Sequence, residues 1–432
     1  MRTIDVGILL SEQINFDFIG EYLLDGASFS GQYSVAVEGD KILFNGALYE
    51  RLQFVPSGGD SSFLLHDVVI GVNFHWQRCE NQRFCGELIF IVESGRVRAV
   101  NRLPVEEYLV SVISSEMSAT SSLELLKAHT IISRSWLYAQ LGRKKCTEAV
   151  KGWSNGEEIV RWYDRDDHTL FDFCADDHCQ RYQGITRAAN PNVRRAVQET
   201  ADIVLKYDGN VCDARFSKCC GGVTERFSAC WENEDKPYLL PLRDDASEQP
   251  IELCDEAAAR NWIESQPDAF CSNVDKAVLS QVLNGYDCET ADFYRWSVRY
   301  SQKELSELVA RRSGIDFGTI CELLPLERAA SGRIVRLKIV GDKATRIIGK
   351  ELEIRRCLSE SHLYSSAFVV DKEVEEESQK VSFVLKGAGW GHGVGLCQIG
   401  AAVMGEKGYS YKEILSHYYP GSYLESVLVE SL

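Results

Sequence analysis

The sequence predicts an α+β protein with a β-rich N-terminal lobe, a mixed core of helices and strands, a helical insertion within that core, and a cleft between the lobes. Short apolar runs separated by turn residues fill residues 1–100, and helical periodicity takes over from Pro104. An acidic, mostly helical stretch interrupts the second half. The predicted divisions are the N-terminal lobe at 1–100, the first half of the core at 101–231, the insertion at 232–328 and the second half of the core at 329–432.

The composition limits the partners that this chain can have. Its 432 residues include 64 acidic and 47 basic residues, which give a net charge of −17. Such a charge argues against nucleic acid or an anionic membrane as the main partner. The longest early apolar run, Val6 to Leu10, is too short for a signal peptide or a membrane span, so we expect no integral membrane protein. Both a cytosolic protein and a mature form without its export signal fit these observations, and the 15 cysteines leave the redox compartment open.

The N-terminal lobe is predicted from four runs of strand-forming residues. They are separated by glycine, asparagine and aspartate turns and read "TIDVGILL", "YSVAVEGDKILFNG", "HDVVIGVNFHW" and "GELIFIVESGRVRAV".

Two helices follow the predicted strands. Pro104 suits the first turn of a helix, and an apolar stripe follows at helical spacing, formed by Val105, Tyr108, Leu109, Val112 and Ile113. The second helix is predicted at about Ser122 to Leu141, where Ser121 and Glu124 have the spacing of a capping box.

Glu116 occupies a position of the first helix where the apolar stripe calls for a hydrophobic residue. It lies seven residues after Leu109 and four after Val112. Partial burial there would raise the pKa of the carboxyl group and allow it to act as a general acid. The alternatives are that the helix ends near Glu116 and the side chain reaches solvent, or that Glu116 pairs with a buried arginine. Arg134 on the second helix is either structural or a substrate contact.

The second half of the chain alternates between helices and strands. "DEAAARNWIESQ" and "QKELSELVARR" predict helices, "GRIVRLKIVG" and "KELEIRR" predict strands, and Asp371 to Lys380 predicts a solvated loop. A further helix is expected from Gln398 to Lys407 with Gly408 as its stop, followed by a final helix that Ser410 and Glu413 open.

Gly387 to Ala402, "GAGWGHGVGLCQIGAA", begins with glycine at every second position. We interpret this part as a strand with one bare face, which would either let a ligand lie against the backbone or let the strand pack tightly on a neighbour. In the first case Trp390 or His392 would border the binding cleft. The segment lacks the lysine and hydroxyl residues of a phosphate-binding loop.

Two histidines and two cysteines lie within twelve residues of each other. His168, Cys174, His178 and Cys179 form the ligand set of a closed, tetrahedral, structural zinc site. The competing interpretation is a disulfide between Cys174 and Cys179 beside two ordinary histidines. Cys79 and Cys85 flank a predicted turn and could also pair.

Five blocks of the sequence together resemble the stage II sporulation protein D family, also called the SpoIID/LytB domain. They appear in the family's order and span about residues 100–425: "PVEEYLVSVISSEMSATSSLELLKAHTIISRSWLYAQ", "DDHCQRYQG", "CCGGVTE", "RRCLSESHLYSSAF" and "GWGHGVGLCQIGAAVMGEKGYSYKEILSHYYPGS". The chain departs from the family at Cys220 and Cys397, where serine is frequent, and in the acidic insertion.

The resemblance implies a lytic transglycosylase that cuts the MurNAc–GlcNAc bond of peptidoglycan strands and leaves 1,6-anhydro ends. The sporulation members of the family act on strands without stem peptides, and the sequence leaves open whether this chain tolerates the stems. It matches the family's catalytic glutamate to Glu116 and its arginine to Arg134, and some members bind zinc in the region of His168 to Cys179. It also implies action outside the cytoplasm, and no organic cofactor is expected. Some relatives have instead been regarded as non-catalytic modifiers of an amidase, which is the alternative function.

The matched blocks also supply the residues that we expect to contact the glycan: Gln180, Tyr182, Gly221, Gly222, Thr224, Trp390, His392 and Gln398. A transglycosylase requires one carboxyl group, whereas a hydrolase requires a second. Asp176, Asp177 and Glu225 are the nearest candidates for that second group, although Asp176 and Asp177 fit better as residues that orient metal ligands.

Overall fold

The structure is a computed structural model. It describes residues 2–70, 78–118, 120–143, 150–163, 168–176, 179–186, 190–247, 251–272, 275–282 and 292–427.

The N-terminal lobe consists of strands, as the sequence predicts. Ten strands follow one another: β1 (Thr3–Ser11), β2 (Gln13–Leu24), β3 (Ala27–Glu38), β4 (Lys41–Phe44), β5 (Ala47–Tyr49), β6 (Arg51–Pro56), β7 (Ser62–Ile70), β8 (Arg78–Cys85), β9 (Glu87–Glu93) and β10 (Arg96–Pro104). Alternating residues of these strands are buried, as in β6, where Leu52 and Phe54 face the core. Cys79 and Cys85 both lie on β8 and carry thiols, so the disulfide considered for them is absent.

Two helices follow the last strand of the lobe without a break. Helix α1 (Val105–Glu116) begins directly after Pro104, and its whole predicted apolar stripe is buried. Helix α2 (Leu123–Gly142) begins one residue later than the predicted capping box implies. Its N-cap is Ser122, whose hydroxyl accepts a hydrogen bond from the Leu125 amide at 3.3 Å.

The segment after α2 joins the N-terminal lobe to the rest of the chain. It contains β11 (Val150–Ser154), β12 (Glu158–Tyr163), β13 (Phe173–Cys174), α3 (Pro191–Glu199), β14 (Ile203–Tyr207), β15 (Asn210–Val211) and β16 (Phe216–Ser217). Strand β13 pairs in parallel with β1, where Val6 faces Phe173 and Gly7 faces Cys174. This pairing completes an eleven-stranded sheet whose main path runs β13-β1-β10-β9-β6-β2-β3-β4-β5, with β7 and β8 attached at β2.

The next part of the chain mixes helices and strands. It contains two short 3₁₀ helices (Phe227–Ala229 and Phe270–Ser272), α4 (Glu256–Ser265), α5 (Lys276–Val282), β17 (Arg295–Ser301), α6 (Gln302–Ser313), β18 (Ile320–Arg328), β19 (Ile334–Gly341), β20 (Thr345–Gly349) and α7 (Glu351–Cys357). Five strands form a sheet in the order β11-β12-β20-β19-β18. The predicted strand "KELEIRR" is wrong, because this stretch forms α7. Its buried residues Ile354 and Cys357 lie three apart, at helical spacing.

The C-terminal part contains β21 (Phe368–Val374), β22 (Val381–Ala388), β23 (Leu396–Cys397), α8 (Gln398–Glu406), α9 (Tyr411–Tyr418) and β24 (Tyr423–Ser426). The predicted loop at Asp371 to Lys380 begins inside β21, so only its second half is a turn. The predicted ends of the last two helices are confirmed. Gly408 follows α8 with a φ of 86°, and Ser410 and Glu413 form the capping box of α9.

The two largest hydrophobic cores among the described residues hold most of these elements together. The larger core runs from the N-terminal sheet through α1 and α2 to α8 and α9. The smaller core lies between residues 296 and 385, and therefore crosses the predicted boundary at residue 328. None of the helices in the described ranges has both the length and the apolar character that crossing a bilayer requires.

Candidate active site

Glu116 is the last residue of α1, and its side chain is half-buried. The stripe below it fixes this position, because Val112 and Ile113 are both fully buried one turn earlier. The Met117 amide donates to the Ile113 carbonyl at 2.9 Å and closes the last turn of the helix. Glu116 therefore sits at a defined helix end and is only partly buried there.

Arg134 is fully buried and serves as a link between helices. Its guanidinium makes a bidentate contact with Glu106 of α1 at 2.9 and 2.6 Å, and donates to the Ile203 carbonyl at 3.0 Å. Its side chain has 0% exposure. The structure thus favours the structural interpretation of Arg134, which holds α1 against α2 and β14.

Gln180 and Gln398, predicted to contact substrate, instead lie inside a buried polar network. The Gln398 side-chain amide donates to His129 Nε2 at 3.1 Å, and His129 Nδ1 then donates to the Ser133 hydroxyl at 3.3 Å. Burial, with a smaller effect of Lys218, lowers the pKa of His129 to about 3, so the ring is neutral.

The network continues to helix α1, which carries Glu116. The Gln180 amide donates to the Ser133 carbonyl at 3.2 Å, and Gln180 accepts from the Tyr108 hydroxyl at 3.3 Å. The network therefore connects α8, α2 and α1, and the two glutamines position these helices.

Tyr182 and Thr224 are likewise internal. The Tyr182 hydroxyl donates to Asn101 at 2.6 Å, and Thr224 donates to the Leu240 carbonyl at 2.8 Å. Their exposed fractions are 1% for each residue. Neither side chain is exposed at the surface of the structure, and a role of either residue in glycan binding stays a prediction.

Gly221 and Gly222 are also buried and pack against backbone and side chains of the protein. Both have positive φ values, of 79° and 99°. A Cβ atom on Gly221 would lie 2.8 Å from the Gly389 nitrogen, and one on Gly222 would lie 2.9 Å from the Trp262 ring. These glycines permit close packing rather than ligand approach.

The alternating glycine segment is only partly a strand. Strand β22 ends at Ala388, and the four glycines from Gly389 to Gly395 have positive φ values between 73° and 95°. A Cβ atom on Gly393 would lie 2.4 Å from the Arg333 guanidinium carbon, and one on Gly395 would lie 2.0 Å from the Arg215 carbonyl oxygen. These contacts favour the supporting interpretation, because what approaches the bare backbone is the protein itself.

Trp390 and His392 keep partial exposure within this segment. The Trp390 ring packs against Tyr364 at 4.5 Å between centroids, and the His392 ring meets Trp231 edge-on at 5.0 Å. Burial, Arg215 and Arg333 hold the pKa of His392 well below its usual value. His392 is therefore a neutral ring, and its Nδ1 accepts from the Val394 amide at 3.0 Å.

The loop after β12 brings three of the four predicted zinc ligands together. Donor atoms of His168, Cys174 and Cys179 lie within 4.8 Å of one another, and His168 Nε2 is 3.6 Å from the Cys179 sulfur. Both cysteines carry thiols rather than a shared disulfide. One imidazole and two thiols in this arrangement fit a zinc ion. The fourth predicted ligand, His178, and the neighbouring Asp177 lie outside the described residues.

A second group of donors was not predicted as a group. Cys220, Asp244, Cys271 and Cys397 are all buried and place one donor atom each within 4.8 Å of the others. Cys220 and Cys397 are the two departures from the family pattern noted above, and the structure shows that they are neighbours. The presence of cysteine at both of these positions was the signal in the sequence that pointed to this group. The sequence alone cannot show that the two cysteines lie side by side.

Comparison with known families assigns two segments of the chain. A profile described as "Stage II sporulation protein" matches residues 93–207, which include α1, α2 and the His168 loop. A profile described as "Domain of unknown function (DUF8618)" matches residues 225–395.

The relatives with reviewed names agree with the first match. The chain is 28% identical over 333 residues to the amidase enhancer of Bacillus subtilis, which covers 74% of this chain and 40% of that protein. It is 24% identical over 325 residues to stage II sporulation protein D of Bacillus amyloliquefaciens, covering 75% of this chain and 74% of the relative. The Bacillus subtilis protein of the same name is 22% identical over 327 residues, covering 75% of each chain. The chain thus spans less than half of the amidase enhancer. The predicted resemblance to the SpoIID family is confirmed over residues 93–207.

Proposed function

We propose that this protein is a lytic transglycosylase of bacterial peptidoglycan, with Glu116 as both general acid and general base. The observation that carries the proposal is the SpoIID match around the half-buried Glu116 at the end of α1. The relatives named stage II sporulation protein D support a role at the cell wall. Such a role requires action outside the cytoplasm.

The proposed reaction needs one carboxyl group. Glu116 protonates the glycosidic oxygen, which leaves as the 4-hydroxyl of GlcNAc. The resulting carboxylate then takes the proton of the muramic acid 6-hydroxyl while that oxygen bonds to C1. The bond broken and the bond formed balance, and no external water enters.

The fate of Glu225 supports this mechanism over hydrolysis. Glu225 has 0% exposure, and it accepts hydrogen bonds from the Ser331 amide and hydroxyl at 3.0 and 2.5 Å. It therefore cannot face a glycan across a cleft from Glu116. Asp176 is half-buried beside the metal-ligand candidates, where an orienting role fits better.

We further propose that His168, Cys174, His178 and Cys179 hold a structural zinc ion. A closed set of protein ligands would supply folding energy and leave no position for water or substrate. The ion would fix the loop that pairs with β1 through β13.

The second candidate function is that of a non-catalytic modifier of an amidase. The name of the Bacillus subtilis amidase enhancer favours it. In that case Trp390 and His392, which keep partial exposure, would contribute to glycan binding without cleavage.

The test is a digestion of purified glycan strands, with and without stem peptides, followed by mass spectrometry of the new ends. We expect 1,6-anhydromuramic acid ends, which are lighter than reducing ends by one water. Reducing ends that carry label from heavy-oxygen water would show hydrolysis and overturn the mechanism. An absence of cleavage by folded protein, combined with stimulation of an added amidase, would establish the modifier.

A further inference from the structure

Four buried side chains from separate segments converge between β16 and α8. Cys220 follows β16, Asp244 lies in the loop before α4, Cys271 lies in the second 3₁₀ helix, and Cys397 ends β23. Their exposed fractions range from 0 to 2%. We call these four residues the cysteine cluster.

The sulfur atoms of the cluster are spaced as metal ligands. The Cys220 and Cys271 sulfurs are 3.6 Å apart. A disulfide bond would need about 2.05 Å. Two thiolates on one tetrahedral zinc ion, each about 2.3 Å from the metal, are separated by about 3.8 Å. The observed spacing is close to the second value.

The backbone around the cluster is arranged as an outer shell for charged ligands. The amides of Cys220 and Gly400 point at the Cys397 sulfur, at 3.2 and 3.4 Å. Cys397 is also the N-cap of α8, where the helix dipole favours a thiolate. Amide donors of this kind orient and stabilise the ligands of metal sites.

Asp244 is held in the same way. Its carboxylate accepts from the Cys271 amide at 2.9 Å and from the Tyr418 hydroxyl at 2.6 Å. Within the described residues, its nearest basic group is His417, whose Nε2 is 3.9 Å away. A Cβ atom on Gly400 would lie 2.6 Å from this carboxylate. Glycine at this position therefore leaves space for the Asp244 side chain.

We propose that Cys220, Asp244, Cys271 and Cys397 form a second metal site, which takes a zinc ion. A charged carboxylate buried beside three thiols is costly without a counter-charge, and a divalent cation would supply one. Thiolates select soft or borderline metals, and zinc is the borderline ion that also accepts a carboxylate oxygen. With four protein ligands and no exposed face, the site is structural.

This site would fasten two parts of the chain. Asp244 and Cys271 lie within the segment that matches the domain of unknown function, whereas Cys220 and Cys397 lie outside it. Cys397 directly precedes Gln398, the first member of the buried network that reaches α1. The proposal does not depend on the reaction at Glu116, because its test measures metal and not activity.

The first experiment counts zinc per chain in the full-length protein, purified under reducing conditions without chelator, by plasma mass spectrometry. Cys220→Ser and Cys397→Ser should each lose one equivalent of zinc relative to the unmodified protein. Cys357→Ser is the matched control, because Cys357 is equally buried but lies outside both donor groups. It should retain the full content.

The second experiment needs no variant and decides the matter if the serine variants fail to fold. Crystals of the unmodified protein are measured above and below the zinc absorption edge. An anomalous peak among the four donor atoms supports the site. The proposal is overturned by the absence of that peak, by unchanged zinc content in both folded serine variants, or by peptide mapping that finds a native Cys220–Cys271 disulfide.

Discussion

Glu116 is the residue on which the proposed reaction depends. Glu116→Gln keeps the size and hydrogen bonding of the side chain but removes the transferable proton. We expect turnover of glycan strands to fall by about 10²- to 10⁴-fold while the melting temperature stays close to the unmodified value. Glu107→Gln is a suitable control, because Glu107 is an exposed residue of the same helix that pairs with Arg194. A folded Glu116→Gln protein with normal turnover would refute the assignment.

Substitutions of Arg134 can distinguish a residue that positions helix α1 from one that contacts the substrate. Arg134→Ala strands the partly buried Glu106 carboxylate and should cost about 3 kcal/mol of stability. Replacing both partners, as Glu106→Gln with Arg134→Met, should recover most of that loss and most of the activity. A stable double variant without activity would instead show that Arg134 contacts the substrate.

Glu225 gives the fold a pH dependence of known sign. Burial raises the pKa of this carboxyl above its usual 4.5, against the opposing effect of the Ser331 hydrogen bonds. The folded protein therefore holds its proton more tightly than the unfolded chain, and stability is lost as the pH rises from 4.5 through the raised pKa.

Thermal unfolding of Glu225→Gln measures this effect, because the amide mimics the protonated acid at every pH. The variant should match the unmodified protein near pH 4 and exceed it increasingly as the pH rises from 4.5 through the raised pKa. A difference in melting temperature that is constant across this range would contradict the shifted pKa.

At the scale of elements, replacing a glycine in the loop after β22 should lower the stability of the protein measurably. Gly393→Ala adds both a positive-φ strain of about 1–2 kcal/mol and a clash with the buried Arg333 guanidinium. Gly209→Ala is the matched control, because Gly209 has nearly the same φ of 77° and no heavy atom within 4 Å of its Cβ position. Gly393→Ala should therefore lower the melting temperature by clearly more than Gly209→Ala. Equal effects would show that Arg333 adjusts without cost.

The same elements show what the sequence could predict. The stripe from Val105 to Ile113 identified α1 because its 3.6-residue period extends over the whole helix. "KELEIRR" misled because Leu352 and Ile354 alternate over too short a run to separate a strand from a helix, and tertiary packing decided.

Site residues were harder to predict than elements. Glu116 could be singled out because it breaks a local pattern, and its catalytic role stays a prediction. Gln180 and Gln398 could not be separated from surface contacts, because only the folded chain brings them to His129. The cysteine cluster was invisible for the same reason, since its four members are spread between residues 220 and 397.

At the scale of the whole molecule, the His168 loop ties the middle of the chain to the N-terminal sheet. Loss of the proposed zinc in His168→Ala should release β13 from β1 and lower the melting temperature. Hydrogen exchange should accelerate at the Asp172 and Ala175 amides, which donate to Asp5 and Gly7. Peptides from β4 and β5, at the far end of the sheet, serve as the internal reference. Unchanged exchange at Asp172 and Ala175 would show that β13 needs no metal.

Strand β12 pairs with a strand that is synthesised much later, β20. It pairs in parallel with β20, where Glu158 faces Ile347, which lies 189 positions later in the chain. At about 5–20 residues per second, translation of that interval takes roughly 10 to 40 s. During this time the side of β12 that β20 will cover stays open to other strands, although its other neighbour β11 is already made. During synthesis, strand β12 of the nascent chain can therefore pair with a wrong strand. We expect chaperones to protect the nascent chain during the interval between the synthesis of β12 and that of β20.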